Sequence, residues 1–203
     1  MIPIITLVTP FLAAILVIFL KEFSKAVTCS AFGDKSIKNT GRLSLNPLKH
    51  IEPIGLILFF QFGTLGWGKP IETRNQIYRS SKNAVIISSL VPMVILILTG
   101  IVSSFLINTL PPLQTYLGFF WLTFLFQTMR FSFGLFIFNL IPLYPFEASR
   151  ILKLFMSPNQ SLTFSSNERM YLFILVFAFF LLPGHTNAIF SNIVSLMIAF
   201  FTN

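Results

Sequence analysis

The sequence predicts an all-α polytopic membrane protein with four to six transmembrane or re-entrant segments, plus a small membrane-associated β element near residues 53–70. Three observations carry that expectation. Of the 203 residues, 55% are hydrophobic and only 10% charged, with a mean hydropathy of +0.82. A soluble domain carries about a quarter charged residues. Apolar runs of near-membrane length alternate with short polar stretches. The basic residues are also concentrated: most of the 14 Lys and Arg lie between Lys21 and Lys82, and the rest are Arg130, Arg150, Lys153 and Arg169. The length suits one membrane domain over residues 1–203, with little left for a soluble module. A net charge of +8 invites a nucleic-acid reading. Basic residues that flank apolar spans are better explained by the positive-inside rule, so no nucleic acid is expected and the lipid bilayer is. Cys29 is alone, which excludes an internal disulfide and a cysteine-built metal site.

The first element is an apolar run from Met1 to Leu20 that continues through Lys21 to about Ala31, where Gly33-Asp34 breaks it. It lacks a basic leader and a small-residue cleavage site before the Lys-Glu cluster, so it is read as a retained membrane helix. Residues 34–52 are polar and basic. Ile54 to Trp67 is apolar but shorter than the roughly 20 residues a span needs, which suggests a re-entrant piece packed against the helices. Ala84 to Leu110 is the second span, with Pro92 inside it, and Leu110-Pro111-Pro112 is an uncharged turn. Tyr116 to Leu143 is the third span, ending at the Pro142/Pro145 pair. Glu147 to Arg169 reads as a polar connector. Met170 to Leu182 and Ala188 to Phe201 are two last apolar stretches around Pro183-Gly184-His185. Loop charge places 21–82 and 147–169 in the cytoplasm, with the proline turn and the N-terminus on the other side.

The most informative residues are Lys21-Glu22-Phe23-Ser24-Lys25, at the end of the first apolar run. Two further stretches follow: Gly41 to Gly55, containing Asn46-Pro47-Leu48-Lys49-His50, and then Gly66-Trp67-Gly68-Lys69-Pro70. A third reads Asn139-Leu140-Ile141-Pro142-Leu143-Tyr144-Pro145-Phe146-Glu147-Ala148. In this order they resemble the site-2 protease family of intramembrane zinc metallopeptidases, over nearly the whole chain. The resemblance implies a His-Glu-x-x-His helix whose two imidazoles bind zinc beside a glutamate that activates water. Here that frame reads Lys21-Glu22-x-x-Lys25. The family's third ligand, an Asp, matches Glu147. The family's Ala-Gly-Pro-x-x-Asn segment is matched by Leu90-Val91-Pro92-Met93-Val94-Ile95, which keeps only the proline.

Lys21 and Lys25, four apart, share one helical face. An ammonium has no lone pair for a metal, and an adjacent Glu22 favours keeping it charged. Ordinary zinc catalysis is therefore not expected: no metal ligand, no cofactor, and Lys21, Glu22, Lys25 and Glu147 as a degenerate site. A divalent cation with two neutral imidazoles and one carboxylate carries +1, and two ammoniums with one carboxylate carry the same charge. The ammoniums are expected to take the metal's space and pair with Glu22 and Glu147; the alternative is that both lysines snorkel to the interface.

Arg130 stands near the middle of the third span, where insertion costs about 2.5–3.5 kcal/mol. It calls for a partner, either an interface reached by helix tilt or an acidic group on another subunit. Gln127 and Gly134 share its stripe. His50 and His185 are read as structural and solvated, and the 26 Phe as lipid contact and packing. The resulting expectation is a catalytically inactive pseudoprotease that binds or scaffolds other integral membrane proteins or single-span clients. By family analogy, an extended client segment would add to the 53–70 region, with Gly55, Gly66 and Trp67 as contacts. The alternatives are an active intramembrane metallopeptidase with unconventional ligands, which would need zinc, and a structural subunit of a larger membrane complex.

Overall fold

The computed structural model describes residues 2–62, 66–71, 81–109 and 115–202. Its elements in chain order are α1 (Ile2–Ala31), α2 (Ser36–Asn39), a 3₁₀ turn (Pro47–Lys49), α3 (Pro53–Phe62), α4 (Lys82–Thr109), α5 (Tyr116–Asn139), α6 (Glu147–Lys153), α7 (Pro158–Leu181) and α8 (Pro183–Thr202). Among the described residues, α1, α4, α5 and α7 are long and apolar enough to cross a membrane, and α8 holds a shorter apolar stretch over Ala188–Phe201. The chain is an all-α integral membrane protein.

The core is a triangle of α1, α4 and α5. Ala13, Ala14, Val17 and Ile18 of α1 meet Phe59, Leu96, Phe131 and Leu135, all buried. Small residues let helix backbones approach where lipid supplies no hydrophobic drive. Gly100 of α4 does the same on the other side of α5, where an added Cβ would come within 2.5 Å of the Phe133 ring. A second layer is aromatic. Phe138 stacks on Phe190 of α8 at 4.4 Å and tilts against Phe146 and Phe179, holding α6, α7 and α8 to the base of α5.

The β element expected near 53–70 is corrected. Pro53–Phe62 is helical, and among the described residues strand-like pairing survives only as an isolated antiparallel bridge between Ile51 and Gly68. The reason is physical. Ile54 to Phe60 is a continuous apolar run without strand alternation, and a helix satisfies its own backbone where no water can. The region's glycines serve close packing instead. An added Cβ on Gly55 would lie 2.1 Å from the Trp67 carbonyl oxygen, and one on Gly66 would overlap the Phe59 ring.

Three boundaries also move. The third span ends at Asn139, not Leu143. Asn139 Nδ2 donates to the Leu135 carbonyl while its Oδ1 accepts from the Glu147 amide. The polar connector at 147–169 is instead α6 and the first turns of α7, which start at a capping box: Ser157 accepts from the Gln160 amide and Gln160 accepts from the Ser157 amide. His185 lies in the first turn of α8 and is exposed. Gly55→Ala is expected to lower stability by about 1–3 kcal/mol, because backbone and not a flexible side chain blocks the new methyl. A thermal midpoint in detergent equal to wild type would contradict this packing.

Candidate functional site

Lys21, Glu22 and Lys25 lie in the penultimate turns of α1, and Glu147 is the first residue of α6. Helical spacing puts Lys21 and Lys25 on one face, and the Asn139 hydrogen bond fixes where α6 begins. The four side chains meet. Lys25 Nζ donates to Glu147 Oε1 at 2.7 Å, and Lys21 Nζ donates to Glu22 Oε1 at 2.7 Å. Lys21 Nζ also stands 3.4 Å from Glu147 Oε1. On the outer side, Arg150 Nη1 is 3.5 Å from Glu147 Oε2. Lys21 and Lys25 are each 2% exposed and Glu147 is wholly buried, so neither lysine snorkels to an interface. The ammoniums point into the protein and are paired there.

The cluster is buried, and the Gly68 segment covers it on one side. An added Cβ on Gly68 would come within 2.5 Å of Glu22 Cγ, 2.8 Å of Ile18 and 2.9 Å of the His50 carbonyl oxygen. The bare backbone at Gly68 thus presses on Glu22 and holds its carboxylate toward Lys21. The segment carrying Gly68 is tied down twice. Lys69 donates its amide to the His50 carbonyl, and Arg42 donates to the carbonyls of Lys49, Lys69 and Pro70. His50 is buried, bonded through Nε2 to the Ser44 carbonyl at 2.9 Å and edge-on to Phe19 and Phe23. That is a structural histidine. Glu22 Oε2 is buried with no hydrogen-bond partner among the described residues.

Burial alone would push the Glu147 carboxyl up. Lys25, then Lys21 and Arg150, outweigh it, and the group is held at about 2, below its ordinary 4.5. A charged Glu147 therefore bonds the two lysines.

The arrangement does not fit zinc. A structural or catalytic zinc takes neutral imidazoles, thiolates or carboxylates at about 2.0–2.3 Å. Here Lys21 and Lys25 carry ammoniums that already donate to the carboxylates. Among the described residues, no three His, Cys, Asp or Glu side chains stand grouped so as to hold a metal ion.

The other expected site residues lie apart. Gly55, Gly66 and Trp67 are buried in internal packing, Gly55 against the Trp67 backbone and Trp67 edge-on to Phe146. Client addition to a strand edge needs free backbone groups in a strand, which helical Pro53–Phe62 does not offer. Arg130 lies half-buried on α5, away from the cluster. Asn139, Gly68 and Arg150 were not singled out from the sequence. An Asn just before a proline-rich turn is the one signal that marks its role in ending α5.

Against known proteins, the chain is 28% identical over 184 residues to a Bacillus subtilis (strain 168) protein named "Putative zinc metalloprotease YwhC", spanning 86% of this chain and 81% of that one. This similarity supports a metalloprotease-like relationship. No family model matches the chain, and no solved structure does.

Removing Glu147 leaves the buried Lys25 ammonium without its carboxylate, while Lys21 keeps Glu22, so Glu147→Ala is expected to cost about 3–5 kcal/mol. The sign of the pH dependence follows from the depressed carboxyl. Its contribution is complete above pH 4.5 and is lost as pH falls toward about 2. Thermal midpoints in detergent should fall with acid more steeply for wild type than for Glu147→Gln. Parallel acid profiles would contradict the pairing.

Proposed function

We propose that this chain is a site-2-protease-like membrane protein in which an ion cluster replaces the catalytic metal, and that it works by binding other membrane proteins. The observation that carries the reading is the pair of 2.7 Å bonds from Lys21 and Lys25 to Glu22 and Glu147. These positions match the two imidazoles, the glutamate base and the acidic ligand of the resembled enzymes. The ammoniums act as immobile cations: they hold α1 to α6 as a shared metal would, and they supply no Lewis acid and no activated water. Glu22 is buried and bonded to Lys21, so one of its carboxylate oxygens is already engaged by an ammonium.

Loss of chemistry with retention of the scaffold points to recognition as the remaining task. The helical triangle of α1, α4 and α5 is intact, and α7 is largely uncovered within the chain: its most apolar window is only 11% buried. By the positive-inside rule, the loops at 21–82 and 147–169 face the cytoplasm, which puts the ion cluster near that side of the membrane.

Two preparations test the reading: wild type, and a variant combining Lys21→His, Lys25→His and Glu147→Asp, each purified in mild detergent with zinc supplied. Wild type should carry well under about 0.1 zinc per chain, and the variant about one, the three-ligand zinc site of the resembled enzymes being rebuilt. About one zinc per wild-type chain, lost in Glu147→Ala, would overturn the reading and return the chain to the peptidases.

A further inference from the structure

We propose that Arg130 is the recognition point for a membrane-spanning partner segment that carries a carboxylate near mid-membrane; this deepens the client-binding reading and rests on it. α5 has 24 residues, about 36 Å at 1.5 Å per residue. Arg130 is nine residues from its Asn139 end and fourteen from its Tyr116 end. A hydrocarbon core of about 30 Å centred on α5 puts the Arg130 backbone roughly 10 Å inside the nearer boundary. Helical side chains lean toward the helix N-terminus, so Arg130 leans away from that boundary and toward the middle. Snorkelling to a lipid headgroup is thus the poorer way to satisfy this guanidinium.

Among the described residues, its surroundings offer no anion, and Arg130 has no ion-pair partner. Gln127, one turn along the same stripe, is half-buried and carries an Nε2 amide that can donate to an anion. The flanking side chains are already committed: Met129 and Phe133 pack toward α8, and Phe131 toward α1. Gln127 and Arg130 form a half-buried polar stripe on α5, where Thr128, Ser132 and Asn139 are buried.

The occupant is not a second copy of this chain, because the six acidic residues offer no suitable carboxylate. Glu22 and Glu147 are enclosed in the ion cluster, and Glu168 pairs with Lys153. Asp34 caps Ser36. Glu52 and Glu72 belong to the polar stretch between the first two spans. What fits is a different chain, an apolar helix with one Asp or Glu at the depth of Arg130. Its carboxylate would accept from the guanidinium and from the Gln127 amide, a charge-assisted contact made strong by the absence of water.

The test uses the full chain reconstituted in phosphatidylcholine vesicles, with fluorescently labelled single-span polyleucine peptides that carry either a central Glu or a central Leu. The Glu peptide should associate about tenfold or more tightly than the Leu peptide, with the preference lost in Arg130→Leu, kept in part in Arg130→Lys, and weakened severalfold in Gln127→Leu. Equal association of the two peptides, or a preference that survives Arg130→Leu, would overturn the proposal. So would homotypic association of the protein that depends on Arg130. Thermal midpoints of the variants separate misfolding from lost recognition, and Gln127→Leu and Arg130→Lys keep the test open if Arg130→Leu fails to fold. Zinc content separates this proposal from the reading beneath it. Zinc-free wild type with no Glu preference removes only the Arg130 partner, whereas zinc-loaded wild type removes the pseudoprotease reading.

Discussion

The bond from Lys25 to Glu147 is the interaction on which the arrangement depends. It joins residues 122 apart in sequence and is buried at both ends. Two such charges could not stay in an apolar interior alone, and each is tolerable only because the other is placed against it. Placement comes from the whole surrounding frame. Asn139 ends α5 and receives the Glu147 amide, α6 packs on α4, and Gly68 presses Glu22 toward Lys21. Lys21, bonded to Glu22 and close to Glu147, closes the cluster into one unit.

Such a cluster does the structural half of a metal's work. A metal shared between two helices fixes their distance and angle and also polarises what it binds. Paired ammoniums and carboxylates keep the first effect and lack the second. Under the proposed reading, such a cluster would keep α1 and α6 joined without a metal, in a chain whose similarity supports a metalloprotease-like relationship. Arg130 differs in kind: among the described residues no carboxylate pairs with it, which is why we propose it for recognition.

Much of this was legible in the sequence. The four-residue spacing of Lys21 and Lys25 put both ammoniums on one face, and Gly33-Asp34 marked the end of α1. The spans at 84–110 and 116–143 were readable as apolar runs of sufficient length. What misled was the short run from Ile54 to Trp67, where glycine and aromatic content suit a strand as well as a tightly packed helix. The absence of strand alternation over Ile54 to Phe60 favours the helix, whereas the packing of Gly55 against Trp67 is a contact no local pattern reveals. The capping box at Ser157 and Gln160 was present in the sequence, but it sat inside a polar stretch that read as a connector. Gly68 stood in the Gly66-Trp67-Gly68-Lys69-Pro70 stretch, but its contact with Glu22 could not be read there, since it depends on α1 bringing Glu22 to it.

The most direct test is a double-mutant cycle on Lys25→Met and Glu147→Leu, with unfolding followed in mixed detergent micelles. The account predicts a coupling energy of about 3 kcal/mol or more, with the double variant closer to wild type than Glu147→Leu alone, because removing both charges leaves fewer buried ions unpaired. Single-variant losses that add to within about 0.5 kcal/mol would mean that the two side chains are neighbours without being partners, and the ion-cluster account would fail.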